Sequence, residues 1–162
     1  MAVLAVLVGL QASGKSAFHG QCLRERYELV SKDLFPRSVR RKQTRQMSLI
    51  GQALTAGRSV VVDNTNPSPE EWAPLVEAGR THGATVVAYW FPPDLPGSLR
   101  RNAARTGRAR VPDVGVLATA RRLRRPSRRD GFDAVFAVRF DGHGGFDVWP
   151  ASDDTPGTGI GA

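Results

Sequence analysis

Apolar residues follow two rhythms along this chain. Short, uninterrupted β-branched runs alternate with stretches in which apolar positions recur every three or four residues. The first pattern suits strands buried on both faces, and the second suits amphipathic helices. Residues 2–8 read as a first strand, and 15–26 as a helix with Phe18, Cys22 and Leu23 on its apolar stripe. Residues 28–31 form a short second strand, and 38–56 a helix with Met47, Ile50 and Leu54 on one face. A third strand, 59–63, carries Val60, Val61 and Val62, and a helix over 69–81 has Pro69 in its first turn. Strand four spans 84–91. It is followed by a helix over 95–105, a loop over 106–112 and a helix over 114–124. A fifth strand, 134–140, and a short edge strand, 145–149, complete the pattern. Strand–helix alternation predicts an α/β fold, a three-layer sandwich with a central parallel sheet and helices on both faces.

The turn after the first strand carries candidate chemistry. Gly9-Leu10-Gln11-Ala12-Ser13-Gly14-Lys15-Ser16 is a complete G-x-x-x-x-G-K-[ST] phosphate loop, with an apolar strand before it and a helix after it. The glycines let backbone N–H groups wrap phosphate oxygens, and the helix adds its positive dipole end. Gly9, Gln11, Ala12, Ser13, Gly14, Lys15 and Ser16 are therefore the expected ATP-binding set. Lys15 should reach the β- and γ-phosphates and Ser16 should ligate Mg²⁺. Asp63 ends a buried strand, as a second Mg²⁺ residue would. Asp33, just beyond the second strand, can accept a proton from an attacking hydroxyl, because ligands of an open parallel sheet sit outside the carboxyl ends of its strands.

Length and charge narrow the class. At 162 residues the chain is one domain, 1–150, with room for a core but not for the extra subdomains of most motor ATPases. No guanine-specific Asn-Lys-x-Asp string occurs. Residues 151–162 are rich in Gly, Pro, Ser and Asp and are expected to be a disordered tail. The net charge is +8, yet residues 100–129 alone hold eleven arginines against Asp113; that +10 leaves −2 for the other 132 residues. The arginines over roughly 100–125 suggest a helical lid that closes on the nucleotide and stabilises the transferring phosphoryl group. One cysteine excludes a disulfide scaffold, and no apolar run is long enough for a membrane helix, so the expectation is a cytoplasmic enzyme.

The combination of Gly9 to Ser16, Ser31-Lys32-Asp33, Asp63-Asn64-Thr65-Asn66-Pro67 and Arg101-Asn102 through Pro112 resembles the 5′-hydroxyl polynucleotide kinases, a P-loop kinase family. The resemblance runs from about Val3 to Phe140. It implies transfer of the γ-phosphate of ATP to a DNA or RNA 5′-OH with Mg²⁺, in nucleic-acid repair or end healing. It implies Asp33 as general base, Lys15 and Arg105 as the other catalytic residues, and Arg101 and Arg105 as nucleotide-binding lid residues. It also implies Ser16 and Asp63 as metal residues, with Asp63 and Asn66 on the acceptor side. Many relatives carry an arginine three residues after the base. Here that position is Pro36, leaving Arg37 or Arg40 to supply the contact. No Asp-x-Asp-Gly-Thr string occurs, so no 3′-phosphatase is expected.

Two alternatives stay open: a P-loop kinase of a small-molecule hydroxyl (nucleoside, sugar or antibiotic), and a nucleotide-dependent regulatory module. Trp72 and Trp90 read as packing residues, Cys22 as a small buried hydrophobe, and the three histidines lack metal-ligand spacing.

Overall fold

The computed structural model of the chain describes residues 1–152. Six strands form one sheet: β1 (Val3–Val8), β2 (Glu28–Val30), β3 (Val60–Asp63), β4 (Thr85–Trp90), β5 (Ala134–Phe140) and β6 (Phe146–Pro150). Their order is β2-β3-β1-β4-β5-β6, all parallel except β6, which pairs antiparallel with β5. Central β1 is buried on both faces, with Leu4 to Val8 at zero exposure, which is why its sequence runs apolar without alternation. From β1 the chain runs first to the edge strand β2 and then returns to β3, which lies between β2 and β1. It then crosses to β4 and β5 on the other, so the switch in strand order lies beside β1. The register pairs Leu7 with Asp63, which sets the ends of β1 and β3 side by side.

Helices cover both faces. On one, α2 (Lys42–Thr55) and α3 (Pro69–Thr81) bury Ile50, Ala53, Leu54, Trp72, Leu75 and Val76 against Leu4, Val6 and Val60. On the other, α1 (Lys15–Phe18) and the turn after it bury Phe18 and Leu23 against Ala5, Leu7, Val61 and Phe91. The molecule is an α/β three-layer sandwich, with α4 (Leu95–Ala103) and α5 (Asp113–Arg122) carrying the arginine-rich segment expected to form the lid. Asn102, fully buried, holds the connecting loop: its side chain donates to Val111 O at 2.6 Å and accepts from Val111 N at 3.0 Å.

Three sequence expectations change. The helix over 15–26 stays α-helical only to Phe18, and His19–Leu23 winds as a π-helix. The i→i+5 repeat brings Leu23 round to the face of Phe18. Cys22, expected to be buried, is exposed. The helix over 38–56 begins at Lys42, because Pro36 opens a turn closed by Val39 N to Pro36 O at 3.0 Å. Backbone pairing continues past β6 into the stretch 151–162 expected to be a tail, with Ala151 N donating to Val135 O at 2.8 Å; residues 153–162 of that stretch lie outside the described residues. Among the described residues no helix is long and apolar enough to cross a membrane.

Candidate active site

The phosphate loop is shaped by two left-handed residues, Ala12 (φ 55°) and Gly14 (φ 97°). Gly14 is required twice over. Its φ disfavours a side chain, and a Cβ there would lie 2.7 Å from Phe140 Cζ, because the β5–β6 hairpin folds over the loop. Gly9 is equally confined, its Cβ position lying 2.8 Å from Phe91 Cβ. Its N–H donates to Thr65 O at 3.0 Å, joining the loop to the segment after β3.

Lys15 folds back along the loop, donating to Gly9 O at 3.1 Å, Leu10 O at 2.5 Å and Ser13 Oγ at 3.3 Å. Burial pushes its ammonium down to about 8; Arg105 adds to the fall, while Asp63 and Asp33 oppose it. A polyphosphate in the loop offers the buried cation the counter-charge that the fold supplies only in part.

Ser16 Oγ donates to Asp63 Oδ2 at 2.8 Å, bringing together the two residues expected to hold Mg²⁺. Asp63 is buried at the end of β3, and Ser16 lies in the first turn of α1. A carboxylate and a hydroxyl are hard oxygen donors. They fit Mg²⁺, which takes few protein ligands and keeps several waters.

One cavity of about 660 Å³ is lined by Lys15, Ser16, Asp63, Asp33, Arg105 and Arg108, among others. Asp33 stands in a 3-10 turn, Lys32–Leu34, capped by Ser31, whose Oγ accepts from Asp33 N at 3.3 Å. Asn64 ties this turn to the rest of the fold. Its Oδ1 accepts from Lys32 N at 2.9 Å, and its Nδ2 donates to Gln46 Oε1 on α2 at 2.7 Å. Arg105 and Arg108 reach the cavity from the lid, and Arg108 Nη2 donates to Phe35 O at 2.7 Å.

The structure does not bring every expected residue to this cavity. Arg37 and Arg40 are exposed and do not line it, because the turn at Pro36 carries them past its mouth. The arginine beside the Asp33 turn is Arg108, from the lid. Asn66 is buried with φ 44°, and its amide donates to Leu7 O at 2.8 Å; it locks the segment after β3 onto β1 instead of facing a ligand. Arg101 is turned to the other side of the loop, donating from Nε to Ala12 O at 2.6 Å and lying over the Phe140 ring at 4.9 Å. There it lines a second cavity of about 320 Å³ with Ser13, Asp94, Ser98 and Phe140. Gln11 lines the first cavity while donating to Thr119 Oγ1 on α5 at 2.9 Å, a direct link between phosphate loop and lid.

Sequence reasoning missed Asn64, although it lies between Asp63 and Asn66 in a string already singled out. It also missed His19, which lines the cavity and whose imidazole is pushed down by burial against an opposing pull from Asp63.

A family model described as AAA domain matches residues 4–126. The fold is similar to that of a fungal RNA kinase: TM-score 0.64, 16% identity, covering 86% of this chain and 38% of that one. The chain thus spans well under half the length of that protein. It is also similar to a gluconokinase from Sinorhizobium meliloti 1021, with TM-score 0.61 and 19% identity over 85% of this chain and 82% of that one. Kti12 from Chaetomium thermophilum, solved in complex with ADP-AlF3, matches with TM-score 0.60 and 14% identity over 85% and 89% of the two chains.

Proposed function

The chain belongs to the AAA domain family, and from that premise we propose that it is an ATP-dependent polynucleotide 5′-hydroxyl kinase. In this reading residues 1–150 act as one domain, the lid spans roughly 100–125, and the enzyme works on DNA or RNA ends in cytoplasmic repair or end healing. The observation that carries it is the single cavity shared by Lys15, Ser16, Asp63 and Asp33. A phosphate-binding cation, a pair of metal-binding oxygens and a carboxylate free to take a proton face one space, which is what phosphoryl transfer to an alcohol requires.

The loop backbone and Lys15 hold the β- and γ-phosphates of ATP. Ser16 and Asp63 would hold Mg²⁺, which would supply charge neutralisation during the transfer. Asp33 orients the acceptor hydroxyl and takes its proton as the oxygen–phosphorus bond forms and the bond to ADP breaks. Lys15 and Arg105 bind the phosphoryl oxygens as charge develops on them, and the lid excludes water. The second cavity, between Arg101 and Phe140, provides a place for the nucleoside part of the donor.

A polynucleotide acceptor is supported by the charge at the cavity's rim. Arg105 and Arg108 line it, and Arg45 lies close by on α2. The name of the fungal RNA kinase points the same way, whereas that of the gluconokinase keeps a sugar hydroxyl as the competing acceptor.

The test is transfer of label from γ-labelled ATP to 5′-OH oligonucleotides, run beside a panel of sugars and nucleosides. Asp33→Ala is expected to lower transfer by about 10²- to 10⁴-fold while ATP still binds. Transfer to a sugar in preference to every oligonucleotide, or full activity in Asp33→Ala, would overturn the reading.

A further inference from the structure

Two arginines from different elements meet at one residue just past Asp33. Arg45, in the first turns of α2, lies over the Phe35 ring with Cζ 5.3 Å from its centroid. Arg108, from the lid, donates to the Phe35 carbonyl at 2.7 Å. Phe35 itself is buried and gives both a fixed seat. Neither guanidinium is ion-paired among the described residues. With no ion-pair partner, and one Arg108 N–H spent on the Phe35 carbonyl, most of their N–H donors remain available to an anion.

We propose that Arg45 and Arg108 form an anion subsite for the phosphodiester next to the acceptor's reacting end. This deepens the polynucleotide reading and rests on it. Phe35 follows Asp33 by two residues, at most about 7 Å along the chain, a separation on the scale of one nucleotide. An acceptor whose hydroxyl faces Asp33 therefore presents its first internal phosphate to the Arg45–Phe35–Arg108 cluster. Because Arg108 belongs to the lid and Arg45 to the body, a phosphate between them also holds the lid against the acceptor loop. Neither arginine contacts the reacting atoms; their part is to position the chain.

The experiment compares three otherwise identical 5′-OH oligonucleotides with the wild-type enzyme. One is all phosphodiester, one has a neutral methylphosphonate at the first linkage, and one has it at a distant linkage. Neutralising the first linkage is expected to raise KM about tenfold, the loss of a charge-assisted pair, and neutralising the distant one much less. Arg45→Ala should raise KM for the unmodified oligonucleotide by a similar factor and become indifferent to the first-linkage change. Arg45→Lys should recover part of the loss, and Arg108→Ala should repeat the pattern from the lid side. Equal use of both modified oligonucleotides by wild type, or undiminished discrimination by Arg45→Ala and Arg108→Ala, removes this subsite alone. No transfer to any oligonucleotide removes it together with the polynucleotide reading.

Discussion

At the scale of single residues the phosphate loop was legible in the chain because its chemistry is local. Gly9, Gly14, Lys15 and Ser16 lie within eight positions, and their spacing alone implies a wrapped backbone with a cation inside. Asn64 was not legible, because its importance is set by two partners far away in sequence, Lys32 and Gln46. It is the strut that fixes the Asp33 turn between β3 and α2. Replacing it with Ala strands the Lys32 N–H and the buried Gln46 amide, so Asn64→Ala is expected to lower stability by about 1–2 kcal/mol. It should also slow transfer by about ten- to a hundredfold through misplacement of Asp33, leaving ATP affinity near wild type. Denaturant melts and a KM-against-kcat comparison check both. Asn66 makes the opposite point. The same residue type two positions on, in the same string, turns inward to cap β1, because its left-handed backbone aims the amide at Leu7 O.

At the scale of elements, strand and helix identities followed from periodicity, and the departures lie where local chemistry overrode it. The helix over 69–81 stands where the pattern put it, with Pro69 in the first turn. It is then tied to the lid by Glu71, which pairs with Arg122 of α5 and accepts from Ser68. Burial raises the Glu71 carboxyl, but the bonds from Ser68 and Arg122 outweigh it, and the net shift is below the ordinary 4.5. The folded state thus holds the proton less tightly than the unfolded one. The stability this contributes is present above pH 4.5 and is lost as pH falls through the lower, folded-state value. Glu71→Gln is expected to cost about 0.5–1 kcal/mol near pH 7, a half-exposed pair discounted for solvent screening. Its melting curve should converge on wild type in acid, and a cost that persists unchanged at pH 3 would remove the ionic explanation.

At the scale of the whole molecule, charge is distributed unevenly. Residues 100–129 carry the positive excess while the rest of the chain is slightly negative. Oligonucleotide KM is therefore expected to rise steeply with salt, the log–log slope gaining about 0.7 for each phosphate contacted on a single strand. Titration between low and physiological ionic strength measures it, and a flat profile would count against a polyanionic acceptor. The alternating α/β layers, the phosphate loop and the local charge excess are legible in the chain alone, because each is written in neighbouring residues and short periods. Which arginines face the cavity, which asparagine braces Asp33, and how the β5–β6 hairpin covers Gly14 emerge only once the chain is folded. Those outcomes depend on sheet order, on the turn at Pro36 and on the lid folding back to Phe35. Such long-range contacts arise from packing, which no local pattern of residues encodes.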